Sequence, residues 1–405
     1  MKQKRILLLL FTIAIWASPA AWPQSKAPVP LLRSGQPVDW WFVFKFNTAT
    51  FNGCGAVQRA CLFGGSVQTY KSGFGQQFAV ASSENAQLAK GAGCAGDTTS
   101  DPIGATFNQV YTGHYFYVLW NDQFDGSPVA TLGAPWGHSK GMMAWDANGN
   151  GFVMQVSTPS WPGSGSAGHP RDGDGNTLGC IADDDVLVSQ HFFALKLNKG
   201  DVVAILKGLA NASVVTDPSN SEIVNNGGPA DVQALVKGLG AKVSTSTAAT
   251  ITKLSTGVQL ISKPSKLLVP TWQLVSSLLG GQSLRAATWF ASPEIPTTTA
   301  STPIKCWDPS LKKPGAVEIA TTGTWNGTSI GLEGVPKKHG NHAKIGVTTQ
   351  GHLYAIFGDM NQQGTLDGPN CKSSQNGRGG LFYVVDNKDL ANSVAGLLKG
   401  ASAPQ

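Results

Sequence analysis

The chain lacks any long apolar stretch beyond its first 16 residues, although it contains 405 residues in all. A membrane-spanning helix needs roughly 20 consecutive apolar residues, so no later segment is predicted to cross a bilayer. The apolar run at 6–16 follows Lys2, Lys4 and Arg5 and precedes small residues at 18–21. This pattern predicts a signal peptide over residues 1–21, and hence a secreted or periplasmic protein without a membrane anchor.

The chain also lacks a large net charge. The formal charge is +6, and removal of the predicted signal peptide lowers it to +3, with 27 basic residues against 24 acidic ones. An excess this small excludes attraction of a polyanion by a global field, so binding must rely on a local cationic groove. Protonation of the seven histidines would raise the charge toward +10 at acid pH. Affinity for a polyanion is therefore predicted to rise as the pH falls.

Cys-x-x-Cys and clustered Cys/His spacings are absent, so the sequence predicts no zinc site and no other metal site. The six cysteines form an even set in a chain with an export signal, which favours disulfides over a free catalytic thiol. The pairs that we expect are Cys54–Cys61, Cys94–Cys180 and Cys306–Cys371.

Two widely separated triplets, His138-Ser139-Lys140 and His342-Ala343-Lys344, are the most informative feature of the sequence. On an extended strand, residues two apart face the same side, so an imidazole and an ammonium can converge on one cluster of anionic oxygens. Each triplet precedes a predicted β-hairpin whose turn is rich in Gly and Asn. The predicted hairpin strands are 141–145 with 152–156 and 345–348 with 352–357. The two halves look like copies, and two such pairs brought together would suit a phosphodiester.

Two acidic loops imitate the start of a calcium-binding loop. The first, at 146–151, has Ser157 at the twelfth position, where a bidentate Glu is needed. The second, at 172–176, has Thr177 where the loop needs Gly. Since Asn-Gly and Asp-Gly are what tight turns require, both loops are interpreted as turns rather than calcium sites.

Residues 30–200 are dominated by short strand-like runs, and helical patterns are predicted only after them. The clearest strand runs are 42–46, 115–120 and 186–197. The helical patterns at 201–208 and 230–238 both end at a glycine, which predicts a helix stop. The Ser/Thr-rich stretches at 244–256 and 296–302 are predicted to be loops or edge elements.

Several separated blocks of the chain, taken in order, resemble the deoxyribonuclease II family, whose fold belongs to the phospholipase D superfamily of paired His-Lys phosphodiesterases. The blocks are 34–45, 117–123, 137–141, 175–180 and 341–361 with 378–380, and a weaker one at 262–266. There are departures: Val156 stands where animal members carry a histidine, and Asn341 where they carry an aspartate.

The resemblance implies a mixed α/β, phospholipase D-like fold. It predicts two similar halves, 22–200 and 201–405, each with a central β-sheet flanked by helices, joined near residue 200 and sharing one active site. It also implies a secreted, acid, metal-independent endodeoxyribonuclease without a cofactor, acting through a phosphohistidine and leaving 3′-phosphate ends. DNA is the expected partner, and the protein is expected to be a monomer or homodimer.

Roles within the site follow from what a phosphodiester needs. Lys140 and Lys344 are expected to hold the charge that builds on the non-bridging oxygens. His138 is expected to attack phosphorus while protonated His342 acts as general acid, and the reverse assignment stays open.

Four further residues are expected to bind or orient the substrate: Ser157, Asp359, Asn361 and Lys45. Capping of strand ends is an equal alternative for the first three. His114 and His191, beside aromatic residues, are interpreted as partly buried strand residues without a role in the chemistry.

Two other functions remain open from the residues alone. One is a phospholipase D-like phosphodiesterase acting on another substrate, such as a phospholipid head group, although no membrane-binding amphipathic helix is evident. The other is a non-catalytic secreted binding protein on the same scaffold. Retention of both His-x-Lys pairs argues against the latter, since a binder could replace imidazole freely.

Overall fold

The computed structural model describes residues 26–51, 77–96, 98–124, 133–159 and 187–405, together with the backbone of two short strands at 58–60 and 69–71. Four sequence predictions fall outside these ranges: the signal peptide, the Cys54–Cys61 pair, Cys180, and the turn at 172–176.

The described residues form two large β-sheets, three two-stranded sheets and five α-helices. The strands are β1 (Leu31–Arg33), β2 (Gln36–Pro37), β3 (Trp40–Lys45), β4 (Gln58–Ala60), β5 (Thr69–Lys71), β6 (Phe78–Ser82), β7 (Ala89–Lys90), β8 (Phe116–Asn121), β9 (Lys140–Trp145), β10 (Gly151–Val156), β11 (Gln190–Leu197), β12 (Val224–Asn225), β13 (Thr250–Lys253), β14 (Gln259–Lys263), β15 (Leu284–Ala287), β16 (Val317–Ile319), β17 (Thr322–Trp325), β18 (Thr328–Gly331), β19 (Ile345–Thr348), β20 (Ala355–Gly358) and β21 (Gly380–Val385). The helices are α1 (Pro102–Thr112), α2 (Lys199–Ala212), α3 (Ala230–Lys237), α4 (Thr271–Leu278) and α5 (Lys388–Leu397).

The first sheet has eight strands in the order β12-β8-β9-β10-β11-β3-β6-β7, all antiparallel to their neighbours. The second has seven strands in the order β13-β14-β21-β20-β19-β15-β16, with only the β15–β16 pair parallel. The run β8-β9-β10-β11 in one sheet therefore matches the run β15-β19-β20-β21 in the other. In both runs a helix precedes the first strand and another follows the last.

Both predicted hairpins are confirmed. Strands β9 and β10 pair antiparallel across the turn at 146–150, and β19 pairs with β20. In the first turn, Asp146 Oδ1 accepts hydrogen bonds from the backbone N–H groups of Asn148 and Asn150, both at 2.9 Å. The aspartate side chain is thus hydrogen-bonded to the backbone of its own turn, as the turn interpretation requires. The returning strand of the second hairpin begins at Ala355, three residues later than predicted.

Aromatic side chains join the inner faces of the two sheets. Phe357 of β20 stacks on Phe42 of β3 with ring centroids 4.3 Å apart, and on Phe193 of β11 at 4.8 Å. Because side chains alternate along a strand, the neighbouring residues face outward. Trp41 Nε1 donates to Thr106 Oγ1 of α1 at 3.1 Å, and Ile356 packs in the cluster that contains Trp272 of α4. Helices α1 and α4 therefore cover the outward faces, and the two sheets are in direct contact around Phe357.

Helix α2 corrects one sequence prediction. It begins with a capping box between Asn198 and Asp201, but it does not stop at Gly208 as predicted. It continues to Ala212, and Ser213 ends it in the left-handed conformation, with φ of 61°. A Cβ atom at Gly208 would lie 3.1 Å from Leu260 and 3.3 Å from Leu381. The glycine therefore allows close approach of the helix to the second sheet.

The prediction that helices occur only after residue 200 is wrong, because α1 lies at Pro102–Thr112. Its signals are Asp101, whose side chain accepts from the Gly104 N–H at 2.9 Å, and Pro102 at the first helical position. Seven of its eleven residues are buried, so its apolar pattern is not the one-sided stripe by which surface helices are recognised. The predicted helix at 230–238 is confirmed as α3, ending at Gly238.

One disulfide prediction is confirmed: Cys306 and Cys371 are bonded, with Cα atoms 5.4 Å apart. Cys94 is also in a disulfide, and its partner lies outside the described residues. Within the described part of the chain, no helix combines the length and the apolar character needed to cross a bilayer.

Candidate functional site

Each His-x-Lys triplet is held by the sheet to which it does not belong. The backbone N–H of His138, just before β9, donates to the carbonyl of Gly379, just before β21, at 2.8 Å. The N–H of His342, just before β19, donates to the carbonyl of Ser189, just before β11, at 2.7 Å. The same exchange thus occurs twice with the sheets interchanged, which brings both triplets to one place between the sheets.

The two imidazoles are oriented in the same reciprocal way. His138 Nδ1 lies 2.7 Å from the Asp359 carbonyl at the end of β20, and His342 Nδ1 lies 3.1 Å from the Ser157 carbonyl at the end of β10. A carbonyl only accepts, so each Nδ1 carries a hydrogen and each neutral ring has its lone pair on Nε2. Among the described residues, neither Nε2 atom has a hydrogen-bond partner. Both rings therefore present a basic nitrogen to the site.

Burial and neighbouring cations keep both imidazoles neutral. The pKa of His138 is well below its ordinary value because of burial first, and then because of the charge of Lys140. The pKa of His342 is likewise well below its usual range, through burial and then through Lys344 and Lys140. Each side chain is 7% exposed, so the site is still open to a ligand. Since each histidine is influenced by the lysine of the other triplet as well, the four side chains form one electrostatic cluster.

A buried ion pair positions the first lysine. Lys140 Nζ lies 2.6 Å from Asp122 Oδ1, with both side chains 2% exposed, and Arg378 Nη2 lies 2.9 Å from Asp122 Oδ2. Burial alone would raise the pKa of Asp122, but the charges of Lys140 and Arg378 hold it far below its usual range. Arg378 also donates to the carbonyls of Trp136 and Gly137, both at 2.9 Å. The ion triad thus fixes the segment that leads into His138.

Lys45 and Lys263 form a further pair of corresponding residues. Lys45 ends β3 and its Nζ donates to the Val188 carbonyl at 2.7 Å. Lys263 ends β14 and its Nζ donates to the carbonyls of Asn376 and Arg378, both at 2.9 Å. The residues that follow Val188 and Arg378 are Ser189 and Gly379, whose carbonyls accept from the backbone N–H groups of the two histidines. Each lysine therefore supports the segment that holds one histidine. Burial lowers the pKa of Lys263 to about 7.

The remaining predicted residues lie at strand ends, and the structure gives each a distinct partner. Ser157 Oγ donates to Gln190 Oε1 at 2.5 Å and accepts from the His191 N–H at 2.9 Å, while its carbonyl holds His342. Asn361 Nδ2 donates to Gln363 Oε1 at 2.8 Å. Asn361 Oδ1 is buried and has no hydrogen-bond partner among the described residues. These side chains adjoin the site, and the Ser157 side chain also braces β10 against β11.

Asp359 differs from Asp122 in that its pKa is raised rather than lowered. Its Oδ1 accepts from Gln155 Nε2 and its Oδ2 from the Leu381 N–H, both at 3.0 Å. Burial nevertheless raises its pKa to about 6, against hydrogen bonds from Ser139 and Gln155 that lower it. Below about pH 6 this carboxyl is neutral, which removes a negative charge from the site. The site therefore becomes more positive as the pH falls.

His191 is a site neighbour that the sequence interpretation missed. It is 0% exposed rather than partly buried, and its Nδ1 accepts from the Lys344 N–H at 3.1 Å. The ring is therefore the Nε2–H tautomer, which donates to Gln155 Oε1 at 3.3 Å. Gln155 in turn donates to Asp359, whose carbonyl holds His138. A buried chain of hydrogen bonds thus runs from one triplet to the other.

The site residues that the sequence interpretation did not identify have no local sequence pattern that indicates their role. Asp122 and Arg378 lie in blocks that carry the family resemblance, as does Lys263, so those blocks were the available signal. Val156, which stands where animal members carry a histidine, is 1% exposed within β10. Asn341 donates to the carbonyls of Ala343 and Thr288 at 3.0 and 3.3 Å, contacts that an ionised aspartate could not make.

Two neutral imidazoles with open lone pairs, set among buried lysines and an arginine, suit transfer of a phosphoryl group. Within the described residues, no three His, Cys, Asp or Glu side chains are grouped as metal ligands would be.

A sequence model of the deoxyribonuclease II family matches residues 31–402, nearly the whole chain. The chain belongs to the deoxyribonuclease II family, and the family implies a nuclease of the hydrolase class. No curated protein sequence matches the chain.

Replacement of His191 tests the buried chain of hydrogen bonds. His191→Phe keeps a ring against Phe357 but leaves the Lys344 N–H without its acceptor, and an unsatisfied buried donor costs about 1–3 kcal/mol. His191→Asn, whose Oδ1 can replace Nδ1 as acceptor, should cost less. The free energy of unfolding, measured in urea, should therefore fall from the wild type to His191→Asn and further to His191→Phe. The exposed His114→Phe variant should match the wild type. Equal loss in both His191 variants would contradict the acceptor role.

The raised pKa of Asp359 predicts a pH-dependent contribution to stability. Its folded pKa of about 6 exceeds the usual value of 3.8, so the folded state binds more protons between these values. The contribution is fully present below about pH 4 and is lost as the pH rises through 6, by about 3 kcal/mol. The free energy of unfolding of the wild type, measured in urea relative to that of Asp359→Asn, should thus increase from pH 7 to pH 4. A pH-independent difference would exclude the shift.

Proposed function

We propose that the protein is a secreted, acid, metal-independent endodeoxyribonuclease that leaves 3′-phosphate ends. The observation that carries the proposal is the pair of reciprocally oriented imidazoles, each with Nδ1 on a carbonyl of the other half and Nε2 open to the site. Its fold would be the phospholipase D-like arrangement of two halves, 22–200 and 201–405. The matching order of β8-β9-β10-β11 and β15-β19-β20-β21 supports that arrangement.

The cleavage step uses both histidines in different protonation states. His138 Nε2 attacks phosphorus with its lone pair, the bond from phosphorus to the 5′-oxygen breaks, and that oxygen takes the proton from His342 Nε2. Protonated His342 keeps its Nδ1–H on the Ser157 carbonyl while Nε2–H faces the leaving oxygen. The product of this step is a phosphohistidine that retains the 3′-linked nucleotide.

The second step releases the phosphohistidine. Water gives a proton to the now neutral His342 and adds to phosphorus, which breaks the bond to His138 and leaves a 3′-phosphate. Lys140 and Lys344 hold the charge on the non-bridging oxygens in both steps as point charges. The geometry is nearly symmetric, so the reverse assignment of the two histidines fits the same scheme.

Ser157, Asp359, Asn361 and Lys45 complete the proposed site. The carbonyls of Ser157 and Asp359 orient the rings, and Lys45 supports the segment before Ser189. The side-chain amide of Asn361 can bind the substrate in two ways. Its Oδ1, which has no partner among the described residues, can accept from a hydroxyl. Its Nδ2 can donate to a substrate oxygen once its hydrogen bond to Gln363 is broken. DNA is the proposed substrate, and the protein acts as a monomer or homodimer.

Loss of either imidazole should abolish cleavage. We expect the mature protein to nick plasmid DNA at about pH 5 in EDTA, and His138→Ala or His342→Ala to reduce the rate by at least about 10²–10⁴-fold, as loss of acid–base or nucleophilic catalysis does. End labelling should identify 3′-phosphates. His114→Ala, on the surface, serves as control. Activity that requires an added divalent metal, or persists in either pure variant, would refute the two-histidine mechanism.

The pH profile should lie on the acid side. The scheme needs one neutral and one protonated imidazole, so kcat/KM should be bell-shaped, with macroscopic pKa values that belong to the pair. Because burial and Lys140 and Lys344 hold the pKa of both histidines well below 6.5 in the free protein, both limbs should fall below about pH 6.5. Initial rates between pH 3 and pH 8 test this, and an optimum at or above pH 7 would contradict it.

A further inference from the structure

A cavity of about 290 Å³ lies next to the candidate site. One wall is formed by Ser265 and Lys266, just after β14, and a second by Pro135, three residues before His138. The third contains Lys372 and Gly377, the latter adjacent to Arg378. None of the described residues that line it is acidic.

Buried cations tie the three walls to one another and to the site. Lys263 Nζ donates to the carbonyls of Asn376 and Arg378, which joins the wall of Ser265 to that of Gly377. Arg378 donates through Nε to the Trp136 carbonyl, which joins the wall of Pro135. The same guanidinium binds Asp122, the partner of Lys140. The cavity is therefore built on the groups that position the proposed phosphate clamp.

Ser265 supplies a polar group without a use in the free protein. The residue is 2% exposed, and among the described residues its Oγ has no hydrogen-bond partner. The large majority of buried side-chain polar atoms are hydrogen-bonded, and an unsatisfied one is destabilising. Ser265 also lines the cavity, so this buried hydroxyl lies beside the space that a ligand would fill.

The charges at the opening define the class of that ligand. Lys266 and Lys372 are both exposed, and their ammonium groups are point charges of the kind that bind phosphate. With two lysines, one hydroxyl donor and no acid, the lining complements an anion. The volume is at the lower limit of the roughly 300–1,000 Å³ of small-molecule sites. It suits one phosphate with its sugar rather than a larger molecule.

We infer that this cavity binds a phosphodiester of the DNA strand that flanks the scissile one. The inference rests on the proposed nuclease function and assigns a second point of substrate contact to it. The contact reads the backbone and not the bases, so it contributes to affinity and to register on the strand without sequence preference.

The test compares two double variants with the same change in net charge. Lys266→Gln with Lys372→Gln removes the cavity's cations, whereas Lys253→Gln with Lys388→Gln removes two exposed lysines from β13 and α5. In the cavity variant, KM for DNA should rise and the slope of log KM against log salt should fall by about 0.7–0.9 for the lost phosphate contact. Cleavage of bis(p-nitrophenyl) phosphate, which has no flanking phosphate, should be unchanged.

Ser265→Ala separates binding from folding. Removal of a buried unsatisfied hydroxyl should leave the melting temperature equal or higher, while KM for DNA rises and turnover of the small diester stays constant. Equal effects of the two double variants on KM and salt slope would overturn the cavity as a binding site, as would an unchanged KM in Ser265→Ala. Failure of the wild type to cleave DNA would instead overturn the proposed function.

Discussion

The site depends on a reciprocal exchange of backbone contacts between the two sheets. Each histidine donates its N–H to a carbonyl that precedes a strand of the other sheet, and each ring rests on a carbonyl that ends a strand of the other sheet. Carbonyls in packed strands cannot rotate away, so the tautomer and direction of both rings are fixed before any substrate arrives. Such preorganisation is what electrostatic and nucleophilic catalysis require. Neither sheet could form this site by itself.

The same exchange explains why so many charges are buried together. An isolated buried ion is strongly disfavoured, yet Lys140, Arg378 and Asp122 lie within one hydrogen-bonded triad, and Lys263 is surrounded by carbonyls. Removal of one partner from such a group leaves an uncompensated charge and costs several kcal/mol. The buried polar groups thus hold the two sheets in one register, because hydrogen bonds are directional. The aromatic contacts around Phe357 stabilise the sheet packing but specify its register less strictly.

The local parts of the fold were predictable because local physics decides them. The hairpins at β9–β10 and β19–β20 followed from short apolar runs separated by Asn-Gly or Gln-Gly turns, and the two triplets marked where each hairpin begins. Gly208 was misread because a glycine in a helical pattern indicates either a stop or a close approach, and only Leu260 and Leu381, distant in sequence, decide between them. Helix α1 was missed because burial on most sides removes the one-sided pattern. Asp122, His191 and Lys263 act through partners that the folded sheets alone bring near.

The acid pH dependence of the proposed reaction and the pH-dependent contribution of Asp359 to stability both arise from the burial of charges in this arrangement. Burial, together with the nearby lysines, depresses the pKa values of His138 and His342 and keeps both rings neutral near pH 7, where the proposed general acid is then missing. As the pH falls, Asp359 becomes neutral first, at about pH 6, which raises the positive charge of the site and relieves a buried carboxylate. A phosphodiester that binds between the two histidines would bring the negative charge that favours protonation of one imidazole. In the proposed mechanism, substrate binding therefore helps to create the protonation state that cleavage needs, without a separate acid of higher pKa.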